Sequence, residues 1–355
     1  MGEDERRHRL PTHSGRGRGG QRLVDQRLDV LERLVRRSAE QEPGTAEAPV
    51  RPRDARRLLR RLDPGRDGRT AGGAVVALET TLVAHGFPPG EGVEVGLESE
   101  RQVRAAGAVP ATVGVLDGEV RVGLTAEELG RFVSEARKAG PRDLAAAAAQ
   151  GAVGATTVGG TLAVARAAGI RVLATGGIGG VHRGFPDPPD VSADLVQLAR
   201  TPALVVSAGV KSLLDVPATA ELLESLGIPV LGFRVDTLPL FYGAAGGPPV
   251  SARVETAEEA ARVAEAHWRL GGTGLLLGRP PDEPLEDLEP LVEEALAVAG
   301  AAGVSGQAVT PFVLAHLHRE SGGRTEAANK ALVVQNARLA GEVALEIAAA
   351  EQEHR

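Results

Sequence analysis

From Gly73 onward, short apolar segments alternate with alanine-rich segments, and this alternation limits the folds open to the chain. The segment 203–206 (ALVV) is apolar throughout, which is typical of a strand buried on both faces. Repeated strand, helix, strand units imply a largely parallel sheet covered by helices on both sides. The sequence therefore predicts a three-layer α/β/α domain over residues 73–355, with a mostly parallel sheet and ligands beyond the carboxyl ends of its strands.

Glycine, proline and periodicity signals divide this region into predicted elements. An Asp-Gly turn marks 110–123 as a hairpin, and 75–86 is predicted to be a strand followed by a loop. Further strands are predicted at 170–177, 203–209, 228–235 and 273–280. Helices are predicted at 95–107, 125–140, 141–151, 161–169, 192–202, 210–227, 256–272, 284–301, 310–320 and 325–351.

Residues 1–72 differ from the rest of the chain in charge and composition. The chain has 40 Lys and Arg against 47 Asp and Glu, a formal net charge of −7, yet this first segment is rich in arginine and net basic. Residues 1–20, which are rich in Arg and Gly, cannot form a hydrophobic core, whereas residues 21–37 have the apolar spacing of a short amphipathic helix. We expect a disordered or partly helical extension, with docking on a membrane, RNA or another subunit as the alternative.

Composition excludes several classes of protein. The acidic body argues against a broad nucleic-acid surface, which needs clustered Lys and Arg. The absence of cysteine excludes disulfides, thiolate zinc sites and cysteine nucleophiles, and it fits a reducing, cytoplasmic location. No run approaches the ~18 apolar residues of a membrane span. The acidic first residues do not fit a secretory signal.

Two lysines lie where the predicted elements end. Lys211 follows the apolar segment 203–206, and an ammonium at a buried strand end either reaches water or takes part in chemistry. A lysine becomes a nucleophile at neutral pH only where burial or a neighbouring cation favours its neutral form. The alternative is a surface lysine on the first turn of a helix. Lys138 lies at a predicted helix end, where capping of terminal carbonyls is the simplest interpretation.

Glu79 directly follows an apolar strand and has no adjacent counter-charge in the sequence. Burial there would raise the pKa of its carboxyl group, so that it could deliver a proton in catalysis. The alternative is an ordinary glutamate at the end of a strand.

A glycine-rich loop, TGGIGGVHRGFPDPPDVSADL, contains several charged side chains within a short span. These residues are His182, Arg183, Asp187, Asp190 and Asp194. Carboxylates without cysteine suit a hard divalent ion such as Mg²⁺ or Mn²⁺. GGIGG does not have the G-x-G-x-x-G spacing of a dinucleotide site. Ser192 is predicted to cap the following helix.

The segment GATTVGGTLAVA, Gly154–Ala165, leads into another predicted helix. Its glycines and small hydroxyl residues either cradle a phosphate at the helix start or allow tight packing.

Motifs in a fixed order give a specific resemblance over residues 75–349. They are ALETT, HGFP, PRDL, GATTV, ATGGIGGVHRG, DVSADL, SAGVKSLLD, VDTLPLFY, VTPFVLAH and EAANKAL followed by NARLA. Because it carries these motifs in this order, the chain resembles the pseudouridine-5′-phosphate glycosidase family, also called the indigoidine synthase A-like family.

The resemblance implies a lyase that reversibly cleaves the C–C glycosidic bond of pseudouridine 5′-phosphate to uracil and ribose 5-phosphate. It also implies one Mn²⁺ per subunit and a homotrimer. By motif, Lys211 is similar to the family's nucleophile, Glu79 to its proton donor and Asp190 to its metal ligand. The residues similar to its substrate contacts are Lys138, Val158, Ser192, Ala193 and Asp194. His182 and Asn329 lie in motifs near the family's active site.

This activity gives a reason for a lysine. A C–C glycoside has no heteroatom leaving group, so the two-carboxylate route of ordinary glycosidases fits it poorly. If the ribose ring opens, C1′ can form an imine with Lys211 that accepts electrons as the bond to uracil breaks. Glu79 could deliver protons, and Lys138 could hold the phosphate and repel positive charge on Lys211.

Two departures from the family pattern affect the expected phosphate site. Gly140-Pro141 replaces the usual Ser-Arg before Arg-Asp-Leu, which removes one basic phosphate ligand. Gly159-Gly160 replaces the usual Ala-Ala and is expected to loosen the helix start.

Two other functions are open from the residues alone. One is another Schiff-base lyase or aldolase acting on a sugar phosphate, and the other is a non-catalytic nucleotide-binding protein on the same fold. Glu79, Lys138, Asp190 and Lys211 together disfavour the second, since binding alone does not require a lysine ready to attack.

Overall fold

The computed structural model describes residues 73–187, 189–244, 246–285 and 288–353. The predicted extension 1–72 and its helix 21–37 lie outside these residues. The strands are β1 Val75–Leu78, β2 Val109–Leu116, β3 Glu119–Val122, β4 Arg137–Ala139, β5 Gly154–Thr156, β6 Val172–Ala174, β7 Val181–His182, β8 Leu204–Ser207, β9 Leu214–Asp215, β10 Val230–Phe233, β11 Ala252–Val254 and β12 Leu275–Gly278. The helices are α1 Thr81–His85, α2 Glu91–Ala105, α3 Ala126–Gly130, α4 Phe132–Glu135, α5 Leu144–Ala149, α6 Val158–Ala168, α7 Ala193–Leu198, α8 Val216–Ser225, α9 Ala257–Arg269, α10 Glu289–Ala301, α11 Val309–Glu320 and α12 Arg324–Glu353.

One mostly parallel sheet forms the centre of the described chain. Its strand order is β11-β10-β12-β8-β6-β1-β2-β5-β4, and the pairs from β11 to β2 are all parallel. The β2–β5 and β2–β3 pairs are antiparallel. The predicted mostly parallel α/β sheet is confirmed. Because β8, β6 and β1 are adjacent and parallel, the segments after them meet at one edge.

Helices cover both faces of this sheet. Along β8, Leu204 and Val206 belong to a core shared with α2, α9 and α12, whereas Val205 belongs to the core formed with α6, α8, α10 and α11. Alternate side chains of one strand therefore enter two different cores, as expected for a sheet buried on both sides. The three-layer α/β/α prediction is confirmed.

The predicted hairpin is present as β2 and β3. Its turn residues, Asp117 and Gly118, have φ values of 53° and 79°. Positive φ at both central residues defines the type I′ turn that an Asp-Gly pair favours, so the sequence signal is confirmed.

Several predictions differ from the structure. Within 75–86, predicted to be a strand followed by a loop, Thr81–His85 form α1, and the strands β5, β7, β9 and β11 were not predicted. The segment 125–140 is not one helix: it forms α3, α4 and then β4, which pairs in parallel with β5. The segment 210–227 is helical only from Val216, because the Asp215 carboxylate caps α8 by accepting the Ala218 N–H at 3.0 Å.

These corrections change the secondary-structure positions of Lys138 and Lys211. Lys138 lies in β4 and not at a helix end, so the predicted capping role is wrong. Lys211 lies in the segment between β8 and β9 and not on a helical turn. The interpretation of Lys211 as a surface lysine on a first helical turn is therefore also wrong.

Gly160 shows why the start of α6 lacks alanines. A Cβ at Gly160 would lie 2.3 Å from the carbonyl oxygen of Ala139 in β4. The glycine pair therefore lets α6 approach β4 closely, and the expected loosening of the helix start is replaced by tight packing.

Gly160→Ala is expected to lower the free energy of unfolding by about 1–3 kcal/mol, because backbone must move to admit the methyl group. Thermal unfolding followed by circular dichroism measures this. Gly300→Ala in α10 is the matched control, since nothing lies within 4 Å of its added Cβ. That control should be neutral or stabilising by up to about 1 kcal/mol. Equal shifts in the two variants would contradict the close contact.

None of the helices in the described part of the chain is both long and apolar enough to cross a membrane.

Candidate active site

A cavity of about 370 Å³ lies at the edge of the sheet where β1, β6 and β8 end. Every predicted site residue lines it: Glu79, Lys138, Val158, His182, Asp190, Ser192, Ala193, Asp194, Lys211 and Asn329. Segments far apart in the sequence therefore bring their functional side chains to one place. The geometry therefore supports one shared site.

Lys211 is held in the cavity by the sharp path of the chain after β8. Gly209 has φ of 85°, and a Cβ there would lie 2.0 Å from the carbonyl oxygen of Pro239. Only glycine fits this close approach. The Lys211 N–H donates to the Ile178 carbonyl at 3.3 Å, and the lysine is partly buried beside the buried Phe241.

Glu79 follows β1 and lines the cavity, where its carboxyl group is buried. Burial raises the pKa of its carboxyl group, an effect that nearby Asp194 reinforces. Lys211, a hydrogen bond from the Thr175 hydroxyl and Lys138 act in the opposite direction. Because the net pKa is raised, the protonated carboxylic acid is favoured to higher pH than in water.

Lys138 brings a second cation into the cavity from β4. Burial lowers its pKa, and repulsion from Lys211 lowers it further, while Asp194 and Glu79 act against the shift. Lys211 therefore disfavours the charged form of Lys138.

Asp194 is buried and organises the backbone around the site. Its Oδ1 accepts the Gly159 N–H at 2.8 Å and its Oδ2 accepts the Gly179 N–H at 2.9 Å. Ser192 caps α7 by accepting the Asp194 N–H at 3.2 Å, which confirms its predicted cap. Since Asp194 occupies an N–H at the start of α6, it ties the α6 start to the glycine-rich loop.

Asp190 and His182 form the polar pair from which a metal could be bound. The His182 Nδ1 lies 3.8 Å from the Asp190 Oδ2, and burial is the main reason that the pKa of His182 is lowered. Across residues 73–187, 189–244, 246–285 and 288–353, no three His, Cys, Asp or Glu side chains converge on one point. The donors fit a hydrated Mg²⁺ or Mn²⁺ held by one carboxylate with water and substrate oxygens, and do not fit a protein-only cage.

Several cavity residues were not predicted from the sequence. Thr175 donates to Glu79, and its own carbonyl accepts the side-chain N–H of the buried Asn336 at 2.8 Å. His85 and Arg142 also line the cavity. His85 belongs to the HGFP motif and Arg142 to the PRDL motif. Membership of these motifs was the only sequence signal that could have placed the two residues in the site.

The fold and the cavity define an α/β enzyme in which a lysine and a buried carboxyl group with a raised pKa share one site. Residues 66–346 match the family described as indigoidine synthase A like protein, and the chain belongs to this family. The sequence-based assignments of the family and of an enzyme are confirmed.

Curated relatives carry one name. The pseudouridine-5′-phosphate glycosidase of Herpetosiphon aurantiacus is 48% identical over 284 residues, which cover 77% of this chain and 93% of the relative. That of a Roseiflexus species is 49% identical over 292 residues, covering 78% and 92%.

Solved structures share the fold. A prealnumycin C-glycosynthase in complex with ribulose 5-phosphate is 43% identical, with a TM-score of 0.71 over 79% of this chain and 93% of the other. An indigoidine synthase A-like protein of Thermotoga maritima is 37% identical, with a TM-score of 0.73 over 78% and 94%.

Proposed function

We propose that this chain is a pseudouridine-5′-phosphate glycosidase that cleaves the C–C bond between uracil and ribose 5-phosphate. The observation that carries the proposal is that Glu79, which follows β1, and Lys211, which follows β8, line one cavity at the edge of the sheet where these parallel strands end, with only β6 between them. The names of relatives at 48% and 49% identity support the substrate.

The proposed reaction begins with opening of the ribose ring. The Lys211 amine forms a bond to C1′ as the C1′–O4′ bond breaks, and O4′ takes a proton from Glu79. The carboxylate so formed can accept the proton that the amine releases. Burial supports this role, since it raises the pKa of Glu79 and so favours the protonated form that can donate.

The C–C bond breaks in the second stage. The nitrogen lone pair forms a C=N bond to C1′, the C1′–C5 bonding electrons pass to uracil, and C5 takes the proton that Glu79 accepted from the amine. Water then hydrolyses the imine and releases ribose 5-phosphate. A relative solved with ribulose 5-phosphate supports a site for an open-chain pentose phosphate.

Lys138 and Asp190 would bind the charged part of the substrate. A partly buried lysine suits a phosphate group, and that dianion would favour the charged form of Lys138. Asp190 would hold Mn²⁺, with His182 beside it and substrate or water oxygens completing the coordination. When bound, the ion would neutralise negative charge on substrate oxygens.

The test is direct. The full-length protein is incubated with Mn²⁺ and pseudouridine 5′-phosphate, and release of uracil and ribose 5-phosphate is followed by chromatography. We expect both products in equal amounts. Cleavage of simple aldols without uracil release would support the Schiff-base aldolase alternative and overturn the proposal.

Thr175→Val is expected to slow uracil release by about 10- to 100-fold, because a hydrogen bond to a carboxyl group is worth about 1.5–3 kcal/mol. That hydrogen bond lowers the pKa of Glu79, so its loss should raise this pKa further. Activity that needs protonated Glu79 is lost as pH rises through its pKa, so the alkaline limb of the pH–rate profile should move to higher pH. Thr175→Ser should keep the wild-type limb, and an unmoved limb in Thr175→Val would contradict the contact.

The homotrimer and the cytoplasmic location remain proposals. Light scattering coupled to size-exclusion chromatography measures the assembly, and we expect three copies per particle.

A further inference from the structure

A second, small cavity lies behind Glu79, on the side of the sheet covered by α2 and α12. It has a volume of about 20 Å³ and is lined by Leu78, Glu79, Leu82, Gly96, Ser99, Thr112, Ala174, Thr175 and Val333. Glu79 and Thr175 line both this rear cavity and the large one. Glu79 therefore lies between the large cavity and a small internal space whose mostly apolar lining includes the polar residues Ser99, Thr112 and Thr175.

The size and lining of the rear cavity suit one water molecule. A buried water needs about 10–15 Å³ and two to four polar partners. Ser99 donates its hydroxyl hydrogen to the Val95 carbonyl at 2.8 Å, so its oxygen can accept from a water. Thr112 and Glu79 supply the other partners.

Thr112 leads from the rear cavity toward the surface. Its hydroxyl donates to the Glu100 Oε1 at 2.6 Å, and both residues are buried. The other oxygen of Glu100 accepts from Arg104 at 3.0 Å, and the Arg104 side chain is 58% exposed while that of Glu100 is 8% exposed. A chain of hydrogen-bonding groups thus runs from the rear cavity to the buried carboxylate of Glu100, which is paired with the exposed side chain of Arg104.

We propose that a water in the rear cavity, Thr112 and Glu100 form a proton path that exchanges the Glu79 proton with solvent from the side opposite the substrate. In the outward direction, Glu79 gives a proton to the water, the water gives one to the Thr112 oxygen, and Thr112 gives its own to Glu100. One O–H bond forms as each breaks, and the net change is one proton moved from Glu79 to Glu100. Proton transfer in the inward direction reverses these steps after the Thr112 hydroxyl rotates.

This path connects Glu79 to solvent while substrate fills the large cavity. Glu79 must exchange protons between stages of the reaction, and bound substrate would separate it from bulk water on that side. The charged groups that change the pKa of Glu79 are Lys211, Lys138 and Asp194. They lie on the side of the large cavity, and none of them lines the rear cavity. The inference rests on the proposed function only in giving Glu79 a proton to exchange.

Two measurements need no substrate. A high-resolution crystal structure should show an ordered water within hydrogen-bond distance of both Glu79 and Thr112. Infrared spectroscopy detects the C=O stretching band of a protonated carboxyl group, and loss of the band in Glu79→Gln assigns it to Glu79. In Thr112→Val this band should lie at higher frequency, because a hydrogen bond to the carboxyl group is weakened. Protein that shows both results but releases no uracil would refute the proposed function and leave the water site standing.

Turnover tests the path itself. Thr112→Val and Glu100→Gln are expected to lower kcat about tenfold or more at unchanged KM, and to raise the solvent deuterium isotope effect on kcat. Thr112→Ser keeps the hydroxyl and should restore the wild-type rate. The control is Thr201→Val, which removes a fully buried hydroxyl that donates to the Gln197 carbonyl at 2.9 Å, away from Glu79. A shifted band with wild-type kcat would overturn the path, and an unshifted band with no ordered water would overturn the whole inference.

Discussion

Lys211→Ala is expected to reduce uracil release from pseudouridine 5′-phosphate by at least about 10³-fold, because no other group replaces a lost covalent nucleophile. The cavity supports this expectation, since the other lysine that lines it, Lys138, lies on β4, which β6, β1, β2 and β5 separate from β8, the strand that precedes Lys211. Steady-state assays of uracil release measure the effect. A Lys211→Ala rate within tenfold of wild type would refute covalent catalysis by this residue.

Two further variants separate charge from nucleophilicity. Lys211→Arg keeps a positive charge but has no amine that attacks carbon, so it should be as inactive as Lys211→Ala. Lys330→Ala is the matched lysine control. Lys330 forms ion pairs with Glu91 and Glu326 and does not line the cavity. Its variant should retain wild-type kcat, and recovery of activity in Lys211→Arg would assign Lys211 an electrostatic role instead.

Glu79→Gln is expected to lower kcat by about 10²–10⁴-fold, the range for losing a positioned general acid. The amide matches the carboxyl group in shape but cannot give up a proton to O4′. In the wild type, burial raises the pKa of Glu79, so the active protonated form is present below that pKa and is lost as pH rises through it.

The pH–rate profile distinguishes proton donation from packing. The alkaline limb should be present in the wild type and absent from the residual activity of Glu79→Gln. If the variant keeps both the limb and a rate near wild type, Glu79 does not donate the proton.

The sequence was sufficient to place Glu79 and Lys211 in one site. Each follows a segment that is apolar throughout, and parallel strands direct their carboxyl ends to the same edge. The raised pKa of Glu79 was also predictable, because burial at a strand end outweighs the nearby cations. The motifs added the residues that strand ends alone do not identify, such as Asn329 on α12.

Local sequence failed where a short strand depends on a distant partner. Lys138 looks like a helix-end residue, yet Arg137–Ala139 pairs with β5. Residues 214–215 likewise pair with β7, which delays the start of α8. Three- and two-residue strands have too few residues to show an alternating pattern, so only the folded chain reveals them.

The contacts around Glu79 could not be predicted for a related reason. Thr175 reaches it from β6, Asn336 holds Thr175 from α12, and Thr112 lies behind it on β2. Threonine and asparagine carry no charge pattern that periodicity detects. Their positions follow from packing between elements that are distant in sequence.

Covalent capture of the sugar tests the central claim most directly. The protein is mixed with pseudouridine 5′-phosphate, reduced with borohydride and digested, and the peptides are measured by mass spectrometry. We predict a ribose 5-phosphate adduct on Lys211, held as a stable secondary amine, and no adduct in Lys211→Arg. Uracil release at full rate with no adduct on Lys211, or with the adduct on Lys138, would contradict the account.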